Sequence, residues 1–274
     1  MVRNARFLDY EAVRRPILTI GNDFDAGHVL PPHHHQQAQF VYGVSGVMTV
    51  ETVQGRWAVP PDRAVWIPAG MRHSLRTFSS ASTITIWVRP DRKRQLPEDC
   101  QVLEMSPLMR TLVTSAADVE AEYDPKGRDG SLMTLLLHEL VRLPVLPLRL
   151  NFPTDARLAE CCRDFLKNPA SNATIDEWRD VLGMSRRSFT RLFRSETGMS
   201  FATWRQQACL FAALPRLAAN ESVTQIALDL GYESPAAFTT MFKRLQGVPP
   251  SRYLQGAYAS TAVRRSAFTR SRNI

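Results

Sequence analysis

One plan occurs twice near the C-terminus of this 274-residue chain, 48 residues apart, at 174–194 and 222–244. In the first copy Thr174-Ile175-Asp176-Glu177 has the form of a capping box: the hydroxyl takes one backbone N–H and the carboxylate reaches back to another. Ile175, Trp178 and Leu182 share one helical face, Gly183-Met184 turns the chain, and Ser185 caps a second helix. There Phe189, Leu192 and Phe193 form a stripe to bury, while Arg187, Thr190, Arg191 and Arg194 face away; with Arg186 the stretch 186–194 carries four arginines and no acid. In the second copy Ser222-Val223-Thr224-Gln225 reads again as a capping box, and Val223, Ile226, Ala227 and Leu230 as the buried face. Gly231-Tyr232 is the turn, and Ser234-Pro235 opens a helix to Arg244 held by Phe238, Met241 and Phe242. The repeat predicts two helix-turn-helix units, whose second helices have the diameter to enter a DNA major groove and, in the first unit, arginines to reach guanine or phosphate.

Charge follows the repeat. From residue 155 onward there are 17 Lys and Arg against 10 Asp and Glu, whereas residues 1–154 hold 17 against 16, so the net +8 belongs almost wholly to the C-terminal part. Lys and Arg gain affinity for polyanions by releasing counterions from phosphates, so the charge alone fits either a polyanion partner or a solvated basic surface, and it is the helix-turn-helix repeat that makes double-stranded DNA the expected partner. The arginines at 264, 265, 270 and 272 read as a solvated, disordered tail over 259–274. No apolar run approaches the ~18 residues that cross a bilayer, and Met1–Arg6 leads into no signal-peptide core, so no membrane partner and a soluble, cytoplasmic protein are expected. Cys100, Cys161, Cys162 and Cys209 lack metal or redox spacing and read as reduced core thiols.

Between about 16 and 90 the period is two. Gln39–Tyr42, Val47–Glu51, Arg56–Val59, Ala64–Ile67 and Thr83–Val88 are short β-branched and aromatic runs, parted by turn residues such as Gln54-Gly55 and Pro60-Pro61-Asp62. They predict a small antiparallel barrel or sandwich, with Trp57, Trp66 and Trp87 in its core. From about 106 the period becomes helical: Ser106-Pro107 opens one helix, and Ser131 a second whose Leu132, Leu135, Leu136, Leu140 and Val141 are broad enough to meet the barrel and another subunit. Pro144, Pro147 and Pro153 mark a linker. The expected fold class is α+β: a barrel with following helices, then an all-α part. Its divisions are 1–100, a helical dimerisation region 101–150, the paired helix-turn-helix 151–258, and the tail.

Residues 155–253 resemble the AraC-type DNA-binding domain, most specifically in Leu182-Gly183-Met184-Ser185-Arg186-Arg187, Arg191-Leu192-Phe193, Glu196-Thr197-Gly198, Ile226-Ala227, Gly231-Tyr232, Phe242-Lys243 and Gly247–Tyr253. The resemblance implies a long helix, about 201–217, joining two units that enter successive major grooves. It puts the base readers of the first unit on Arg187, Thr190 and Arg191, and those of the second on Pro235, Ala236 and Thr240. Pro and Ala offer no side-chain hydrogen bond, so the second unit is expected to supply shape, thymine-methyl contact and phosphate grip through Ser234, Thr239, Lys243 and Arg244. Pro215 inside the joining helix departs from the pattern and predicts a kink.

The first domain resembles a cupin. Gly27, His33, His35, Gln39 and Gly46, then Pro68, Gly70 and His73, keep the spacing of the two cupin motifs, with Gln39 where glutamate is common and Asp62 where glycine would open the second motif. Alternation along a strand would send His33 and His35 into the barrel together. With His73 and Gln39 they form a candidate pocket, either for a small effector alone or for a divalent transition metal as well. A regulator answering to a small molecule, and not an enzyme, is what the two resemblances imply, and a homodimer through the 131–143 helix is expected. The alternative is a metal-dependent cupin enzyme fused to a DNA-binding domain.

Overall fold

A computed structural model describes residues 15–90 and 96–253; the basic tail lies outside them. The described residues divide into two compact units, one taking 15–52 and 57–148, the other 53–56 and 149–253. The α+β class expected from the sequence is the one found. Among the described residues no helix is long and apolar enough to cross a membrane.

In the first unit β1 (Ile17–Phe24), β2 (Val29–His33), β3 (Ala38–Ser45), β4 (Met48–Thr52), β5 (Gly55–Val59), β6 (Arg63–Ile67), β7 (His73–Thr77) and β8 (Ala81–Val88) follow in order. Then come β9 (Gln101–Glu104), α1 (Pro107–Ala116), α2 (Arg128–Leu140) and β10 (Val145–Leu146). One sheet runs β1-β8-β3-β6-β9-β10, and the other includes β5-β4-β7-β2. Alternate residues Ala38, Phe40 and Tyr42 of β3 and Ile84, Ile86 and Val88 of β8 join one core with Met109, Leu112 and Val113 of α1 and Met133, Leu136 and Leu140 of α2. The intervening positions of β3, among them Gln39 and Val41, are buried as well, which is why this strand reads as a nearly continuous apolar run.

Two details differ from the sequence reading. Helix α2 begins at Arg128 behind Gly127, which gives no side-chain cap; Ser131 lies inside the helix and donates its hydroxyl to the Gly127 carbonyl. The leucine stripe also divides, with Leu136 and Leu140 buried but Leu135 and Val141 exposed. Asp62 adopts the left-handed conformation (φ 63°) that the cupin pattern gives to glycine. Its carboxylate accepts from the Tyr42 hydroxyl at 2.9 Å and pairs with Arg110 of α1 at 2.8 Å, contacts that glycine could not make.

The second unit holds β11 (Arg149–Asn151), α3 (Ala156–Phe165), α4 (Ile175–Leu182), α5 (Arg186–Thr197), α6 (Phe201–Ala218), α7 (Val223–Asp229) and α8 (Pro235–Gln246). It also takes in the tip of the β4–β5 hairpin. Gln54 accepts from the Phe152 amide at 3.0 Å, and a Cβ on Gly55 would stand 2.4 Å from the Leu150 carbonyl oxygen, so only glycine fits. Rings of Trp178, Phe189, Phe193, Phe201 and Trp204 pack around one centre with centroids 4.9–6.4 Å apart, building the first helix-turn-helix onto α6. The second is organised by Tyr232, Phe238, Phe242 and Tyr253 at 5.3–5.8 Å.

Helix α6 runs through Pro215 to Ala218. Proline has no amide proton, so the Phe211 carbonyl loses its i+4 donor even though the helix continues.

Candidate DNA-reading helices and imidazole cluster

The two units share a backbone plan but differ in how they hold it. Thr174 closes the expected capping box: its hydroxyl accepts from the Glu177 amide at 3.3 Å, and Glu177 accepts from the Thr174 amide at 2.8 Å. Ser222 makes no side-chain cap, so the second box is not formed. The Gln225 amide instead donates to Asp229 at 2.6 Å, and Asp229 is itself held by Arg216 of α6. Both turns use glycine in the left-handed region, Gly183 at φ 65° and Gly231 at 71°. Ser185 and Ser234 cap the following helices at 3.1 and 3.2 Å.

On α5, Arg186, Arg187, Thr190, Arg191 and Arg194 are exposed, opposite buried Phe189 and Phe193. Arg186 is paired with Asp176 at 3.1 Å, and the Thr190 hydroxyl donates to the Arg186 carbonyl. Among the described residues Arg187, Arg191 and Arg194 have no ion pair. The end of α5 is pinned: Glu196 accepts from the Thr154 hydroxyl and amide and from the Asp155 amide at 2.6–3.1 Å, which holds its carboxyl below the usual range. On α8, Ala236, Thr240, Lys243 and Arg244 are exposed, while Ser234, Pro235 and Thr239 are half-buried. Arg244 already donates to Gln206 of α6 at 2.5 Å, a partner that no local motif announces.

In the barrel, β2 and β7 bring two histidines face to face. Leu30 opposes Leu75, but the register slips by one residue across Pro31-Pro32, so that His33 opposes His73. Without the bulge Pro32 would stand there. Two prolines are tolerated because β2 is an edge strand, and the bulge re-aims the next side chain. His35 lies beyond the end of β2, so strand alternation is not what brings it in. Nonetheless its ring centroid is 4.8 Å from that of His33 and 5.7 Å from that of His73. One ring nitrogen from each of the three lies within 4.8 Å of the others.

Backbone carbonyls set the tautomers. Nδ1 of His33 is 2.7 Å from the Pro31 oxygen and Nδ1 of His73 is 2.8 Å from that of Met71. A carbonyl only accepts, so both Nδ1 atoms carry a proton and Nε2 is the atom each ring has left to offer a metal. Burial, then the neighbouring His33, lowers the His35 pKa to about 4; burial lowers His73 to about 4 against the opposing pull of the Met71 hydrogen bond. Neutral imidazoles are what a metal ion needs. Metal–nitrogen bonds of about 2.0–2.1 Å require the farthest pair to close up from this spread.

Gln39 is buried in β3, its Oε1 has no hydrogen-bond partner among the described residues, and it sits across from Trp87. Directly opposed residues share a face of the sheet. Trp87, read from sequence as core, packs edge-on against His35 with centroids 4.6 Å apart, so it borders the cluster. Trp57 and Trp66 are wholly buried.

Residues 178–256 match the family described as a helix-turn-helix domain, and residues 23–89 the family described as a cupin domain. The HTH-type transcriptional regulator NimR of Escherichia coli is 33% identical over 224 residues, covering 82% of this chain and 82% of that protein. The arabinose operon regulatory protein of Escherichia coli is 24% identical over 203 residues, 73% of this chain and 64% of its own length. Among solved structures, the DNA-binding domain of the global transcriptional factor AdpA with a target DNA is 30% identical, covering 40% of this chain and 96% of that one at a TM-score of 0.36. With a relative this similar along most of both chains, and both domain families present in order, the chain belongs to the AraC-type transcription regulators with an N-terminal cupin domain.

Proposed function

We propose that this regulator reads its operator mainly with α5 and holds on with α8, and that a small molecule bound at the imidazole cluster sets the response. The observation that carries the first part is the contrast at matching positions. Where α5 offers Arg187 and Arg191, exposed and outside any ion pair among the described residues, α8 offers Ala236 and Thr240. Arg187, Thr190 and Arg191 are the base readers; Arg186 and Arg194 flank them and reach bases or phosphates. On α8, Pro235, Ala236 and Thr240 give shape and methyl contact, while Ser234, Thr239, Lys243 and Arg244 grip phosphate. Arg244 keeps further N–H groups for this after donating to Gln206. Genome-wide mapping of binding sites, followed by competition between operator and scrambled DNA, tests the assignment. Full discrimination by an Arg191→Ala variant would overturn it.

For the effector, support comes from three clustered imidazoles, two of them with Nδ1 turned to a backbone carbonyl, beside buried Gln39. Linkage requires the effector to bind the DNA-binding and non-binding states with different affinity. A divalent transition metal on His33, His35 and His73, with Gln39 alongside, would give the effector a Lewis-acidic docking point. Elemental analysis of the gently purified full chain should find near-stoichiometric metal that His73→Ala loses; finding none in the parent protein leaves a metal-free effector pocket. Exposed Leu108, Leu135 and Val141 support a homodimer through α1 and α2, which sedimentation checks. A cupin enzyme fused to a DNA-binding domain is the second reading, favoured only by the same histidines; the similar proteins are named as regulators.

A further inference from the structure

The two helix-turn-helix units are fastened to each other by more than the helix between them. Ser171 lies in the α3–α4 loop, on the first unit's side. Its amide donates to the Leu230 carbonyl at 2.7 Å, and its hydroxyl to the Gly231 carbonyl at 2.5 Å. Both acceptors belong to the turn between α7 and α8. The fit is tight, because a Cβ on Gly231 would come 3.0 Å from Oδ1 of Asn172. Arg205 of α6 donates to the Ala173 carbonyl, two residues along the same loop. Helix α6, the α3–α4 loop and the α7–α8 turn thus close a triangle.

A triangle resists hinging where a single strut does not. The strut here has a weak point: Pro215 leaves the Phe211 carbonyl without its helical donor, between the residues that serve the first unit and those that serve the second. The aromatic core ties the first unit to Phe201 and Trp204, while Arg216 ties α7 to the far end of α6 through Asp229. Bending at Pro215 would change the separation of α5 and α8 unless a second link spanned the gap. Ser171 supplies such a link at the α7–α8 turn, beside the Arg244–Gln206 hydrogen bond from α8.

We propose that Ser171 is a positioning residue for DNA recognition: by clasping the α7–α8 turn it fixes the separation of the two recognition helices and makes the protein selective for half-site spacing. This rests on the reading that both helices engage DNA. Successive major grooves are one helical turn apart, and a single inserted base pair moves one half-site by about 3.4 Å and rotates it around the axis. A braced pair cannot follow that shift; an unbraced pair hinges to recover contact.

The experiment compares full-length parent protein, Ser171→Ala and Ser171→Thr on the mapped operator, on operators with one base pair inserted or deleted between half-sites, and on the first half-site alone. The parent should lose about 10-fold or more in affinity on altered spacing, and Ser171→Ala no more than about 3-fold, with unchanged affinity for the first half-site. Ser171→Thr, which keeps a hydroxyl, should retain the parent's penalty. Ser171→Ala keeps the amide bond to Leu230 and loses only the hydroxyl bond to Gly231, so a variant with the parent's penalty overturns the Ser171 hydroxyl as the positioning group. Loss of affinity for the first half-site alone also overturns it, since that reports damage to the first unit. A parent indifferent to spacing instead removes the two-helix reading on which the clasp depends.

Discussion

The first and second helix-turn-helix units use the same means to turn the chain and present different side chains outward. Serines cap both presented helices, glycines in the left-handed region turn both, and two phenylalanines four residues apart anchor each, Phe189 with Phe193 and Phe238 with Phe242. Those residues face inward or terminate helices, so the fold dictates them. The outward positions are under no such constraint, and there the copies part: Arg187 against Ala236, Arg191 against Thr240. A folding plan can therefore be kept while the side chains it presents outward change.

That contrast can be attacked at four levels. The largest effects should come from the anchors. Phe189→Ala and Phe238→Ala each remove a fully buried ring and should cost about 3–5 kcal/mol in thermal or denaturant unfolding. Only Phe189→Ala should also abolish discrimination between operator and scrambled DNA; equal losses would erase the asymmetry. Next, Arg191→Ala should lower discrimination at the first half-site by about 1–3 kcal/mol in competition binding, whereas Thr240→Ala should change it little. Lys243→Ala should weaken binding almost equally on all sequences and make the salt dependence shallower by about one unit of slope; loss confined to the operator would make Lys243 a reader. Smallest is the caps' difference. Thr174→Ala should cost about 1 kcal/mol of stability, and Ser222→Ala, which loses no side-chain cap, a few tenths.

What was legible in the sequence follows the range of the interactions. Caps, glycine turns and ring spacing act within one helical turn, and they gave the presented helices with their outward arginines. The second capping box failed because Gln225 is engaged by Asp229, which is oriented by Arg216, thirteen residues earlier. The α2 start was missed because Gly127 begins the helix without a side-chain cap, while Ser131 bonds back from inside. His33, His35 and His73 were legible as a spacing, but what aligns them was not. The bulge at Pro31-Pro32 and the carbonyls that hold two rings depend on how separate strands meet. The Ser171 clasp spans 60 residues, and no local pattern encodes it.

The hairpin tip at 53–56 has a practical corollary for anyone dissecting the protein. Because the second unit draws these residues from far upstream, it is not a contiguous cassette. A fragment starting at residue 149 would leave the Phe152 amide without its Gln54 acceptor and expose the backbone of Leu150 that Gly55 covers. Chimeras that graft this reading module onto another sensor would inherit the same gap unless they carried a matching hairpin. Transfer of this unit is therefore limited by four residues, 53–56, that lie well upstream of residue 149.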